Sequence, residues 1–205
     1  MSRQTQLPAL NISLSRASLG NPNWWSDHRI LGERWLPPAG GKRYGLARFP
    51  FSLRPNVKES VRQAELAVYC HAKGAGAHPV VFDLFPKALT EDQIGEFSIG
   101  IGPDFKFAGV EASVAKAETK FNLKQSIPVL TADGIGESVA RWVFIAGSTH
   151  PLVGSQVVYA ILELPPGVEA ARVSLLLSAE VEMRFGLLRG RLPETERARL
   201  SWVLE

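Results

Sequence analysis

Two histidines, His71 and His78, flank the glycine-rich stretch Lys73-Gly74-Ala75-Gly76-Ala77, and Asp83 follows a few residues on. Imidazole with carboxylate is a donor set for a divalent metal, and antiparallel pairing of the flanking runs would bring the two rings together. A metal site generally needs three or more converging ligands, whereas local spacing supplies two. His71, His78 and Asp83 are therefore read first as polar groups beside a turn, and a metal-dependent enzyme built on them is kept as the third reading.

Asp133, His150 and Ser155 are the residue types of an acyl-transfer triad. No Gly-x-Ser-x-Gly elbow accompanies them, and such a triad is defined by geometry in space rather than by closeness in sequence. Cys70 falls on the apolar side of an alternating run, where a thiol packs as a small hydrophobe. Gly100-Ile101-Gly102 and Gly134-Ile135-Gly136 lack the third glycine and the helix start of a phosphate cradle, so they read as turns. No catalytic residue and no cofactor is expected.

The elements that must hold these residues are strands. From Val173 to Leu187 every odd position is apolar and the even ones are largely Ser, Glu and Arg, the period of two that a half-buried strand requires. A run of that length predicts a bulge or bend within it. Ala64 to Cys70 and Val80 to Leu84 alternate too, and the short Gly-containing loop between them predicts a hairpin. Phe97, Ile99 and Ile101 form another alternating run, which ends at Gly102-Pro103-Asp104. Between Val110 and Leu123 the apolar phase changes from even to odd, which needs a bulge or a crossing between sheets.

Ile127 to Leu130 and Val139 to Ile145 predict a second hairpin, and Val157 to Leu164 meets the long strand across Pro165-Pro166-Gly167, a meander in outline. Helix signals are two: Thr90 with Gln93 as a capping box, and Pro193 followed by Glu194 and Glu196. The expected fold is all-β, an antiparallel β-sandwich of meander or jelly-roll type with a short C-terminal helix. It divides into a basic, Trp-rich N-terminal arm (1–44), a sandwich (45–192) and a helical appendage (193–205), with 36–42 as linker.

Composition agrees with a chain that buries a core: 205 residues, 45% apolar and 21% charged, with 18 Gly and 14 Pro to punctuate short elements. One cysteine excludes an intramolecular disulfide, and the N-terminus lacks the apolar run of a secretory signal, so a cytoplasmic location is expected. The net charge of +3 is uneven. Residues 1–54 carry eight Arg and Lys against Asp27 and Glu33, a net of +6 that leaves −3 for the remainder.

In that basic segment Trp24, Trp25, Arg29, Arg34 and Trp35 combine the residue types that dominate protein interfaces, and they are the expected partner-binding set. The charge excess is small for a nucleic-acid binder, so nucleic acid is not expected as a partner. Residues 109–123 alternate as a membrane-barrel strand does, but Ala115, Ala117 and Phe121 make a thin lipid face, and stable membrane association is not expected. The leading reading is a non-catalytic module that binds another protein or further copies of itself. The second is a self-assembling structural or pore-forming β protein.

Overall fold

The computed structural model describes residues 17–25, 41–72, 77–91, 128–148, 150–168, 170–185, 188–191 and 196–204. Twelve strands are found there: β1 (Ala17–Leu19), β2 (Asn23–Trp25), β3 (Arg43–Leu53), β4 (Glu59–Ala72), β5 (Val80–Phe85), β6 (Ala88–Thr90), β7 (Pro128–Asp133), β8 (Val139–Ile145), β9 (Gly154–Leu164), β10 (Ala171–Phe185), β11 (Leu188–Arg191) and β12 (Glu196–Leu204). They form two antiparallel sheets. One runs β1-β3-β9-β5, with β2 beside β1 along the same strand β3. The other runs β11-β10-β4-β8-β7-β6, with β12 also on β10.

The period of two sends alternate side chains of each strand into the space between the sheets. Ala47, Phe49, Phe51 and Leu53 of β3 and Val158, Ala160, Leu162 and Leu164 of β9 meet Leu66 and Val68, Trp142 and Phe144, and Val173, Leu175 and Leu177 from the other sheet. Phe51 and Phe144 stack edge to face at 5.2 Å, and Phe49 lies 6.3 Å from Trp142. Trp142, wholly buried, donates its indole N–H to the Pro86 carbonyl at 3.2 Å, which satisfies its one polar atom. Cys70 is a core residue, and burial pushes its thiol up to about 12.

The antiparallel sandwich follows the alternation of the sequence, but the connections correct the expected meander. β4 pairs with β10 and β8, and β5 pairs with β9, so the loop 73–79 crosses from one sheet to the other instead of closing a hairpin. The loop at Pro165-Pro166-Gly167 likewise leaves one sheet and enters the other. β7 and β8 are a true hairpin. Gly134 in its turn has φ +105°, and a side chain there would strike the Val139 carbonyl, so the turn needs glycine.

The expected C-terminal helix is absent: residues 196–204 form β12, which pairs with β10 from Ala171↔Leu204 to Ala179↔Glu196. An isolated helix of about a dozen residues after Pro193 is marginal by itself, whereas β10 offers a long edge whose backbone groups need partners. The predicted irregularity of the long strand is found where β10 meets β4: the register slips between Glu180 and Val181, leaving Arg62 of β4 as the extra residue. The linker 36–40, the capping signal beyond Glu91, and Gly100-Ile101-Gly102 lie outside the described residues.

Candidate functional site

The expected partner-binding residues divide. Trp24 and Trp25 are on β2, hydrogen-bonded to β3 opposite Ala47 and Leu46. The Trp24 indole occupies the space over Gly45, where an added Cβ would sit 2.3 Å from ring carbon Cζ2. It packs against the main core, while Trp25 packs on the opposite face of the sheet. Both tryptophans thus hold β2 onto the sandwich. Arg29, Arg34 and Trp35 lie outside the described residues.

The metal candidates come only partly together. The His71 and His78 rings are 6.2 Å apart, edge to face, and His78 Nδ1 accepts the Ala72 N–H at 3.3 Å. Asp83 instead holds Lys87 at 2.9 Å and accepts the Leu84 N–H. Among the described residues no group of three or more His, Cys, Asp and Glu is placed to hold a metal. The triad types are kept apart by topology: Asp133, 4.0 Å from Arg141, is at the turn end of the β7–β8 hairpin, while His150 and Ser155 follow the other end of β8. Ser155 Oγ hydrogen-bonds Ser52 Oγ at 3.1 Å.

Two features escape a strand-by-strand reading. The first is that the β3-β9-β5 sheet is apolar on both faces. On the face away from the other sheet, Tyr44, Leu46, Phe85, Tyr159 and Ile161 form a second buried cluster, joined by Trp25, Phe82 and Val157. The signal lay in the nearly unbroken apolar run Val157 to Leu162, which marks a strand buried on both sides. At its margin Glu163 accepts from Lys42 Nζ at 2.6 Å and from the Tyr44 hydroxyl at 2.9 Å. Burial opposes charge on the Glu163 carboxylate, but those hydrogen bonds and the Lys42 charge outweigh it and hold the group below its ordinary value. Burial, aided by the bond to Glu163, pushes the Tyr44 phenol up.

The second feature is the grouping of loops at one end of the sandwich. β3 ends at Leu53 opposite Gly154, the first residue of β9, so the loops 54–58 and 146–153 cross between the sheets side by side. β6 and β7 open at this same end. Their last pairs are Leu89↔Leu130 and Thr90↔Pro128, and Glu91 accepts from Ser148 Oγ at 2.8 Å in the neighbouring loop. The segment 91–127 therefore starts and finishes on two hydrogen-bonded antiparallel strands. Of the four large apolar residues exposed among the described ones, three are at this end: Val57, Ile145 and Val153. Ile135 is at the other.

No family model and no curated protein matches the chain. Among solved structures, one described as a pore forming protein is 8% identical, with a TM-score of 0.47 over 95% of each chain. The NetB toxin of Clostridium perfringens in its membrane-inserted form is 6% identical, with a TM-score of 0.46 over 92% of this chain and 95% of that one. Clostridium perfringens delta-toxin is 8% identical, with a TM-score of 0.44 over 95% and 96%. No helix among the described residues is long and apolar enough to cross a membrane.

Proposed function

We propose that the protein is a self-assembling pore-forming β protein in which segment 91–127 enters the membrane as a hairpin continuing β6 and β7. The observation that carries this is the register at the open end of those strands. The register shifts by one residue between Leu89↔Leu130 and Thr90↔Pro128. Continuing from that last pair, with each residue added after Thr90 matched by one removed before Pro128, sets odd positions opposite odd ones. Phe97 then faces Phe121, Ile99 faces Thr119 and Ile101 faces Ala117, with the turn at Gly109.

The sequence fits that arrangement. From Phe97 to Phe107 the odd residues are Phe97, Ile99, Ile101, Pro103, Phe105 and Phe107, and the even ones are Ser98, Gly100, Gly102, Asp104 and Lys106. On the returning strand Ala115, Ala117, Phe121 and Leu123 are odd, and Lys116, Glu118, Lys120 and Lys124 are even. Val110, Ala112 and Val114, by contrast, are even, so this strand needs a bulge near Val114 to keep one apolar face. The lipid face that is thin on 109–123 alone is completed by the aromatic and β-branched residues of 97–107. That run meets the roughly 9–11 residues of a tilted membrane-spanning strand. This reading reverses the expectation of no membrane association.

Assembly follows from the same chemistry. A lone hairpin in lipid leaves two edges of unpaired N–H and C=O groups, each costing several kcal/mol in rough terms, so strands of several copies must close into a barrel. The test joins three readouts on liposomes: release of an entrapped dye, the mass of the bound species, and an environment-sensitive dye on single cysteines at 97 to 101 in a Cys70→Ser background. Release, a discrete oligomer and signals alternating between lipid at odd and water at even positions are expected. A monomer that releases nothing and shows no alternation would return the protein to a module for a different partner.

A further inference from the structure

We propose that the loop Arg54-Pro55-Asn56-Val57-Lys58, with its neighbour around Val153, is a docking surface for anionic lipid headgroups, used before any strand is inserted. The proposal rests on the pore-forming reading for its purpose and on separate residues for its case.

Val57 is wholly exposed at the tip of a turn, where nothing in the fold demands an apolar side chain. The turn is shaped by other atoms: the Glu59 N–H donates to the Asn56 carbonyl at 2.9 Å, and the Asn56 N–H donates to Glu59 Oε2 at 3.2 Å. Val153 and Ile145, at 51% and 38% exposure, lie in and beside the adjacent crossing loop. Scattered apolar residues on a surface are ordinary, but three of the four exposed among the described residues lie at one end of the sandwich, the end that also carries Arg54 and Lys58.

Charge decides which partner. Arg54 and Lys58 bracket Val57, both are exposed, and neither has an ion-pair partner among the described residues. The nearby Arg62 is already neutralised by Glu182 at 3.0 Å, and Glu59 is turned back onto the loop backbone. Residues 54–59 keep a net charge of +1, two cations against the Glu59 carboxylate. An apolar tip between two exposed cations fits a surface that is negative at its boundary and apolar just beneath, which is the profile of an anionic bilayer. The same end carries the open strands β6 and β7, so a molecule docked by this loop would present segment 91–127 to the membrane.

The experiment is flotation with phosphatidylcholine vesicles with and without phosphatidylserine, at low and high salt, run beside dye release. Wild type is expected to float with the phosphatidylserine vesicles and to be released by salt. Reversing both charges (Arg54→Glu with Lys58→Glu) should weaken that binding by roughly a thousandfold, since each reversal removes one attraction and adds one repulsion of about the same size. Val57→Asp should weaken it about tenfold or more, and Ile135→Asp at the opposite end should leave it unchanged. All substituted side chains are exposed, and unchanged thermal unfolding confirms the fold. Equal binding to both vesicle types, failure of wild type to float, or undiminished binding by the Val57 and charge variants overturns the docking proposal. Intact dye release by those variants would overturn it too while leaving the pore standing. Docking without release would instead count against the pore alone.

Discussion

Replacing Gly45 by alanine tests whether Trp24 is an internal anchor or a group kept for a partner. The new Cβ would lie 2.3 and 2.4 Å from two carbons of the Trp24 ring and 2.8 Å from the Trp25 carbonyl oxygen. Carbon pairs rest at about 3.5–4.0 Å, so the indole must retreat by at least about 1.2 Å and gives up its contact with the core. Removing a fully buried tryptophan costs about 3–5 kcal/mol, and Trp24 is half-buried, so roughly 2 kcal/mol is at stake. Alanine recovers about 0.5–1 kcal/mol over glycine in a strand, leaving a net loss of about 1–1.5 kcal/mol. In urea that lowers the midpoint by roughly 0.5–1 M with an unchanged slope. The deciding measurement repeats the substitution in a Trp24→Ala background, where it should become neutral or slightly stabilising. An equal loss in both backgrounds refutes the ring contact and points to the Trp25 carbonyl.

Two further outcomes follow from the titrating groups. Because Glu163 is held below its ordinary value, its ionised form stabilises the fold above that value of about 4.3, and the benefit is lost as pH falls through the lower, folded one. Glu163→Gln should therefore be less stable than wild type at neutral pH, with the gap closing as pH falls through the lowered folded-state value, as read from urea midpoints. A constant gap would show that Glu163 acts by packing alone. Cys70, buried and raised to about 12, should resist thiol reagents in the folded protein at neutral pH and react fully once urea unfolds it. Rapid labelling of the native chain would place it outside the core.

Much of the sandwich was legible because alternation is a local property. The strand from Ala171 to Phe185, the placing of Cys70 and the β7–β8 hairpin follow from it directly. Pairing is not local. A glycine-containing loop between two alternating runs serves a hairpin and a crossing between sheets equally well, so His71 and His78 mark the seam between sheets rather than the ends of one ribbon. At the C-terminus Pro193 and the glutamates after it resembled a helix start, although Ala198, Leu200, Trp202 and Leu204 also alternate. The free edge of β10, unknowable from that stretch alone, settled the contest. The candidate site was hardest to see, because Val57, Val153 and Thr90 are far apart in sequence and only the crossing loops bring them to one end.

The pairing of β3 with β9 also fixes when this protein can become itself. Arg43 opposite Leu164 and Leu53 opposite Gly154 are contacts between early and late parts of the chain, and β10 reaches back to β4 in the same way. On a ribosome, β3 would wait for β9 and β4 for β10, so the sequence from 97 to 123 would leave the exit tunnel before either sheet could close around its centre. Such order predicts slow, topology-limited folding and a period in which an amphipathic segment is present without a finished scaffold. The alternating charges at Lys116, Glu118, Lys120 and Lys124 are suited to that interval, since they keep a β-prone segment soluble until its own molecule has formed.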